Sequence, residues 1–206
     1  MSTALLAPQR VLIQPVDRVP PTPHKFTAIE FNEMGDRGWF EGRRAFLIDG
    51  VILEQGPMYP LHATGILLAD AALRKIFDDG WTIRVQLPLH VDKYNDPLPD
   101  FAVLPGGLRD NLGRHPVTAS LLVEVSDTTL HTDLTEKAER YARAGIAEYW
   151  VLDMEGRRLF VLRDPVPLPA GLGATAYSNQ QVLGSSERVS PLAVPGSSIL
   201  VSEMLP

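Results

Sequence analysis

The hydrophobic pattern changes period along the chain, and each change marks an element. Residues 61–77 carry apolar side chains at Ile66, Leu67, Ala69, Leu73, Ile76 and Phe77, a helical spacing, and Gly80 follows as a stop. Residues 81–87 alternate as a strand does. Residues 99–104 form another strand signal, closed by Pro105-Gly106-Gly107, and 105–118 read as a polar loop. Residues 120–125 are nearly continuous apolar (Leu121, Leu122, Val123), the pattern of a buried central strand. Upstream, Thr27 with Glu30 three residues later predicts a capped helix over about 28–35. The β-rich runs 45–48 and 51–55 flank Asp49-Gly50 and predict a hairpin. Thr132 or Asp133 caps a helix through Ala144, ended by Gly145. Strands at 148–153 and 158–162 follow, joined by Met154-Glu155-Gly156.

These elements alternate, so the fold class is mixed α/β (α+β), centred on residues 26–163. Residues 1–25 hold Pro8, Pro15, Pro20, Pro21 and Pro23, each lacking an amide donor, and are expected to be an extended arm. Residues 164–206 are rich in Pro, Gly and Ser and are expected to be an extension with short strands at 180–183 and 199–201.

Composition then removes whole chemistries. The chain has no cysteine, which excludes disulfides, thiolate catalysis and Cys-based zinc or iron–sulfur sites. At 45% apolar and 21% charged it can bury a core. The net charge of −6 argues against a non-specific nucleic-acid coat, because affinity for phosphates comes mainly from Lys and Arg. No apolar run approaches the about 20 residues of a spanning helix, so no membrane partner is expected and the expected location is cytoplasmic. The apolar Val11-Leu12-Ile13 within the first arm needs something to pack on, and a homodimer with exchanged arms is the expectation.

The candidate chemistry lies in carboxylates. Glu124 is the odd residue in Leu121-Leu122-Val123-Glu124-Val125, and a charge inside an apolar strand is costly unless paired or bound to a cation. Asp100 opens the preceding strand. If the two strands are neighbours, the two acids lie close and a divalent ion would relieve their repulsion. The plainer alternative is that Asp100 caps a turn and Glu124 pairs with an arginine. Asp133, Lys137 and Tyr141 are spaced four and four and share a helix face. Lys137 there either supports a phosphate or attacking water, or makes a surface pair with Asp133. Gln86 has an amide able to hold a water or phosphate oxygen, against the reading of a solvent-facing strand residue. His62, at a helix start, faces either substrate or metal, or a local hydrogen bond.

Three runs together resemble a known family. They are Pro99-Asp100-Phe101-Ala102-Val103, Leu122-Val123-Glu124-Val125-Ser126, and Asp133…Lys137…Tyr141-Ala142…Gly145-Ile146…Glu148-Tyr149-Trp150-Val151-Leu152-Asp153. They resemble the Uma-two family, a bacterial group placed with restriction endonucleases in the PD-(D/E)XK superfamily. Leu47-Ile48-Asp49-Gly50, His62 and Gln86-Leu87-Pro88 fit in the same order, so the resemblance spans about residues 26–163.

The resemblance implies a restriction-endonuclease-like mixed sheet flanked by helices. It implies Asp100 and Glu124 as metal-binding carboxylates. The functional reading built on it has Mg²⁺ or Mn²⁺ bridging the two, Lys137 and Gln86 as catalytic partners, and His62 and Tyr141 near a DNA substrate. Two positions depart from the pattern. Ser126 stands where the superfamily commonly has Lys, and Lys137 of the next helix matches the family's substitute. Phe46 stands where the family usually has Glu before Leu-Ile-Asp-Gly, with Glu54 or Glu41 as nearby replacements. The expected activity is a metal-dependent endonuclease. The alternative is a nuclease fold that no longer cuts and serves in binding or assembly.

Overall fold

The computed structural model describes residues 21–167 and 177–206. The segment with Val11, Leu12 and Ile13 lies outside the described residues. Helix α1 (Ala28–Asp36) starts at Thr27, and the capping box forms in both directions: the Glu30 amide donates to the Thr27 hydroxyl oxygen, and the Thr27 amide donates to the Glu30 carboxylate. Strands β1 (Ala45–Ile48) and β2 (Val51–Glu54) pair as an antiparallel hairpin. Asp49 and Gly50 both turn with positive φ, as a two-residue hairpin loop requires.

The rest is built around one sheet. Its strands are β3 (Trp81–Val85), β4 (Phe101–Pro105), β5 (Leu121–Ser126), β6 (Glu148–Asp153), β7 (Arg158–Pro165) and β8 (Tyr177–Gly184), in that spatial order. All neighbours are antiparallel except β5 and β6, which are parallel. A parallel pair needs a crossover, and the helical segment between them supplies it. Helix α2 (Pro60–Leu73) covers one face, where Ile66, Ala69 and Leu73 meet Phe101, Val123, Val125 and Trp150. The crossover helix covers the other, where Ala138, Tyr141 and Ala142 meet Ala102, Leu122, Tyr149 and Val151. β5 is thus buried on both sides, as its continuous apolar run requires.

The structure corrects several sequence expectations. The crossover helix does not begin at a Thr132 or Asp133 cap. It begins as α3 (Leu130–Thr132), widens into a π-helical turn (Asp133–Lys137) and continues as α4 (Ala138–Arg143). Asp133 is therefore inside a helix and buried, not at its solvated start. Helix α2 stops at Leu73, but Ile76 and Phe77 still pack on the core from a tight turn, so the apolar spacing outlasts the helix.

The C-terminal residues contribute more than an extension with short strands would. β8 pairs with β7 along its length, although its side chains are mostly exposed and polar. It is an edge strand held by backbone bonds, so burial leaves little trace in its sequence. β9 (Arg188–Val189) and β10 (Ile199–Leu200) form a small separate pair. Val189, Ile199, Val201, Met204 and Leu205 join the main core beside α2. Among the described residues no helix is long and apolar enough to cross a membrane.

Candidate active site

The antiparallel register pairs Phe101 with Val123, so it brings Asp100, just before β4, opposite Glu124 in β5. Side chains alternate along a strand, and Leu122 faces the crossover helix, so Glu124 faces it too. Both carboxylates open into a cleft of about 430 Å³. Its walls come from the β1–β2 hairpin, the start of α2, the end of β5 and the crossover helix.

Asp100 is held from three sides. Its Oδ2 accepts the Val125 amide at 2.8 Å. Its Oδ1 accepts the Gln86 Nε2 amide at 3.1 Å and lies 3.3 Å from His62 Nε2. Burial pushes the Asp100 carboxyl up, but His62, the Val125 amide and Gln86 together pull it below its ordinary value. The same contact with Asp100 raises His62 above an ordinary imidazole, against the opposing effect of its partial burial. Gln86 is not a plain strand residue. It follows β3 directly with φ of 49°, a region uncommon outside glycine, and Arg44 grips both its carbonyl and its side-chain oxygen. His62 reaches Asp100 because α2 crosses the sheet closely at Gly65. A Cβ there would stand 2.6 Å from Met154 Cε and 2.7 Å from Val125 Cγ1.

Glu124 is 2% exposed. Its Oε1 accepts the Tyr141 hydroxyl at 2.9 Å, and its Oε2 lies 3.0 Å from Lys137 Nζ. Burial pushes its pKa up to about 8; Lys137 opposes this, while Asp100 and Asp133 add to it. Lys137 loses solvation there, yet Glu124, Asp133 and Asp100 hold its ammonium well above the ordinary lysine value. Burial, then the Glu124 charge, raises Tyr141 as well, so it stays a hydrogen-bond donor. Glu148 supplies a contrast within the same sheet. Its Oε1 takes Trp150 Nε1, Arg163 Nε and Arg163 Nη2, and its Oε2 takes the Leu192 amide, so it is a structural carboxylate with a full set of partners.

The structure thus brings Asp100, Glu124, Lys137, His62 and Tyr141 to one cleft, while Gln86 meets it only through its hydrogen bond to Asp100. Thr129 and Arg140 join them from the crossover segment, and Asp133 stands beside Lys137 without lining the cleft. Asp133 lies 2.7 Å from Lys137 Nζ, and its Oδ2 accepts the Thr129 hydroxyl at 2.6 Å. The i, i+4 spacing announces the Asp133–Lys137 contact, but nothing in the sequence announces Thr129. Arg140 lines the cleft and pairs with Asp49 of the hairpin turn at 3.0 Å, a partner ninety-one positions away. Phe46 lines the cleft where the resemblance expects an acid. Glu54 also lines it but is paired with Arg43 at 2.7 Å, and Glu41 is exposed.

Among the described residues no group of three or more His, Asp or Glu side chains is arranged to hold a metal ion. Mg²⁺ does not demand one: it takes one or two carboxylates and completes its shell with waters and phosphate oxygens. Asp100 and Glu124, two hard oxygen donors lining the same cleft, have the chemistry such an ion takes.

Residues 30–202 match the Uma2 family, described as "Putative restriction endonuclease". The fold resembles the crystal structure of "a putative nuclease belonging to DUF820" from Anabaena variabilis ATCC 29413. That likeness has a TM-score of 0.60 at 13% identity, covering 78% of this chain and 88% of the other, and is therefore one of fold. No curated protein matches the chain. The family match runs through the crossover helix and on into the C-terminal residues that complete the core, and by it the chain belongs to the Uma2 family.

Proposed function

We propose that the chain is a metal-dependent endonuclease that hydrolyses phosphodiester bonds of DNA. The observation that carries this reading is the pairing of Asp100 and Glu124 across β4 and β5, at the floor of a cleft that also holds Lys137. Asp100 and Glu124 would hold Mg²⁺ or Mn²⁺, which when bound supplies Lewis acidity toward the phosphate and lowers the pKa of water.

The chain's own residues do the rest. Gln86, His62 and the Val125 amide fix Asp100 as a charged carboxylate with a set orientation. Tyr141 fixes one Glu124 oxygen and leaves the other toward Lys137. The Lys137 ammonium, held well above the ordinary lysine value by Glu124, Asp133 and Asp100 against its loss of solvation, can offset negative charge that develops on the phosphate oxygens. His62, half-buried beside Asp100, can donate a proton to a phosphate oxygen or to the leaving group.

One observation favours a second reading, a nuclease fold that binds without cutting. Phe46 occupies the cleft wall in place of an acid. Both readings meet in one assay: plasmid and single-stranded DNA incubated with Mn²⁺ and wild type, Asp100→Asn or Lys137→Gln. Metal-dependent cutting lost in both variants supports the enzyme. Cutting that survives in both overturns the site. DNA binding without cutting by the wild type supports the second reading.

A further inference from the structure

The described reaction explains Asp100, Glu124 and Lys137, but not why a third buried acid stands beside the lysine. Asp133 is 1% exposed and sits in the middle of a helix. An aspartate there is a poor helix former and costly to bury as a charge. It is nonetheless fixed at several points. Thr129 donates to its Oδ2 at 2.6 Å, Lys137 lies 2.7 Å from its Oδ1, and the Tyr149 hydroxyl donates to its backbone carbonyl at 3.0 Å. The π-helical turn spans residues Asp133 to Lys137, and such turns recur at functional sites. Lys137 Nζ is therefore shared between two carboxylates, closer to Asp133 at 2.7 Å than to Glu124 at 3.0 Å.

A divalent ion at Glu124 must compete with that ammonium. We propose that Asp133 is a positioning residue: it receives the Lys137 ammonium when a divalent cation takes Glu124, so that the cation enters without casting a buried lysine loose. This rests on the metal-dependent reading above. Lys137 then stays beside the phosphate instead of being expelled with its own charge unpaired. Asp133 itself need not touch the ion. Its rigid seating by Thr129 and Tyr149 suits a receiver that must be in place beforehand.

The experiment is calorimetric titration of the full chain with Mn²⁺ at constant pH, with no DNA present. Asp133→Asn is expected to weaken Mn²⁺ binding about tenfold, the scale of one charge-assisted hydrogen bond. Asp133→Glu restores part of that loss. Lys137→Gln binds Mn²⁺ at least as tightly as wild type, and adding Asp133→Asn to it changes the affinity little. A plain through-space charge effect would instead persist in the Lys137→Gln background, and that result overturns the proposal. So does an Asp133→Asn affinity equal to wild type. Should Asp133→Asn not fold, Thr129→Val, which keeps the charge and loses the 2.6 Å bond, is expected to weaken binding in the same direction, and unchanged affinity there counts against the proposal. If the wild type binds no Mn²⁺, the metal-dependent reading falls and takes this one with it. If it binds but Asp133 proves silent, only this inference falls.

Discussion

Replacing Glu124 by Gln keeps the shape of a buried side chain and removes its proton equilibrium. The wild-type carboxyl titrates near 8 in the folded chain against an ordinary 4.5, chiefly because of burial. Between those values the folded state holds a proton that the unfolded state has released. Unfolding therefore releases protons there, and stability falls as pH rises. The slope is about 1.4 kcal/mol per pH unit, so roughly 4 kcal/mol is lost between pH 5 and 8. His62, also raised, contributes in the same direction as pH climbs past 6.5, so the variant serves as the reference. Urea unfolding in EDTA, run on wild type and Glu124→Gln from pH 5 to 8, gives the difference directly. The wild type should lose stability relative to the variant across this range. Added Mn²⁺ should flatten the loss, because cation and proton compete for one carboxylate, and Mn²⁺ affinity should climb with pH up to about 8. Parallel curves for the two proteins in EDTA would refute the reasoning.

Three further changes have defined outcomes. Tyr141→Phe removes the hydroxyl 2.9 Å from Glu124 and should cost about 1–3 kcal/mol in urea unfolding, with a drop in cleavage. Gly65→Ala forces a Cβ against Met154 and Val125 and should cost about 1–3 kcal/mol in stability. It also shifts His62 off Asp100, which NMR titration of the imidazole would register as a fall toward an ordinary pKa. Arg163→Met strips the fully buried Glu148 of its guanidinium partner and should cost about 3–5 kcal/mol, while Mn²⁺ affinity of the folded chain stays unchanged.

Much of this arrangement was legible in the residues. Thr27 with Glu30, and Asp49-Gly50 between β-rich runs, are local signals, and local backbone chemistry determines them. Glu124 stood out because an acid in an apolar strand needs a reason, and Asp100 followed once the two strands proved to be neighbours. The four-and-four spacing of Asp133, Lys137 and Tyr141 did bring all three to one place. What stayed hidden depends on tertiary contact. The π-helical turn is supported by Tyr149 from β6, sixteen positions on. Arg140 and Asp49 meet only because the hairpin folds over the crossover helix. β8 joins the sheet through its backbone, so its polar side chains gave only a four-residue hint. The close crossing at Gly65, which carries His62 to Asp100, leaves no mark in a periodic pattern.

The proposed activity requires Asp100 and Glu124 to hold one cation between them. Crystals soaked in MnCl₂ and measured at the manganese absorption edge test it most directly. One anomalous peak is expected between the two carboxylates, with Lys137 moved off Glu124 toward Asp133. A map without a peak in the cleft, or with manganese bound away from both acids, would contradict it.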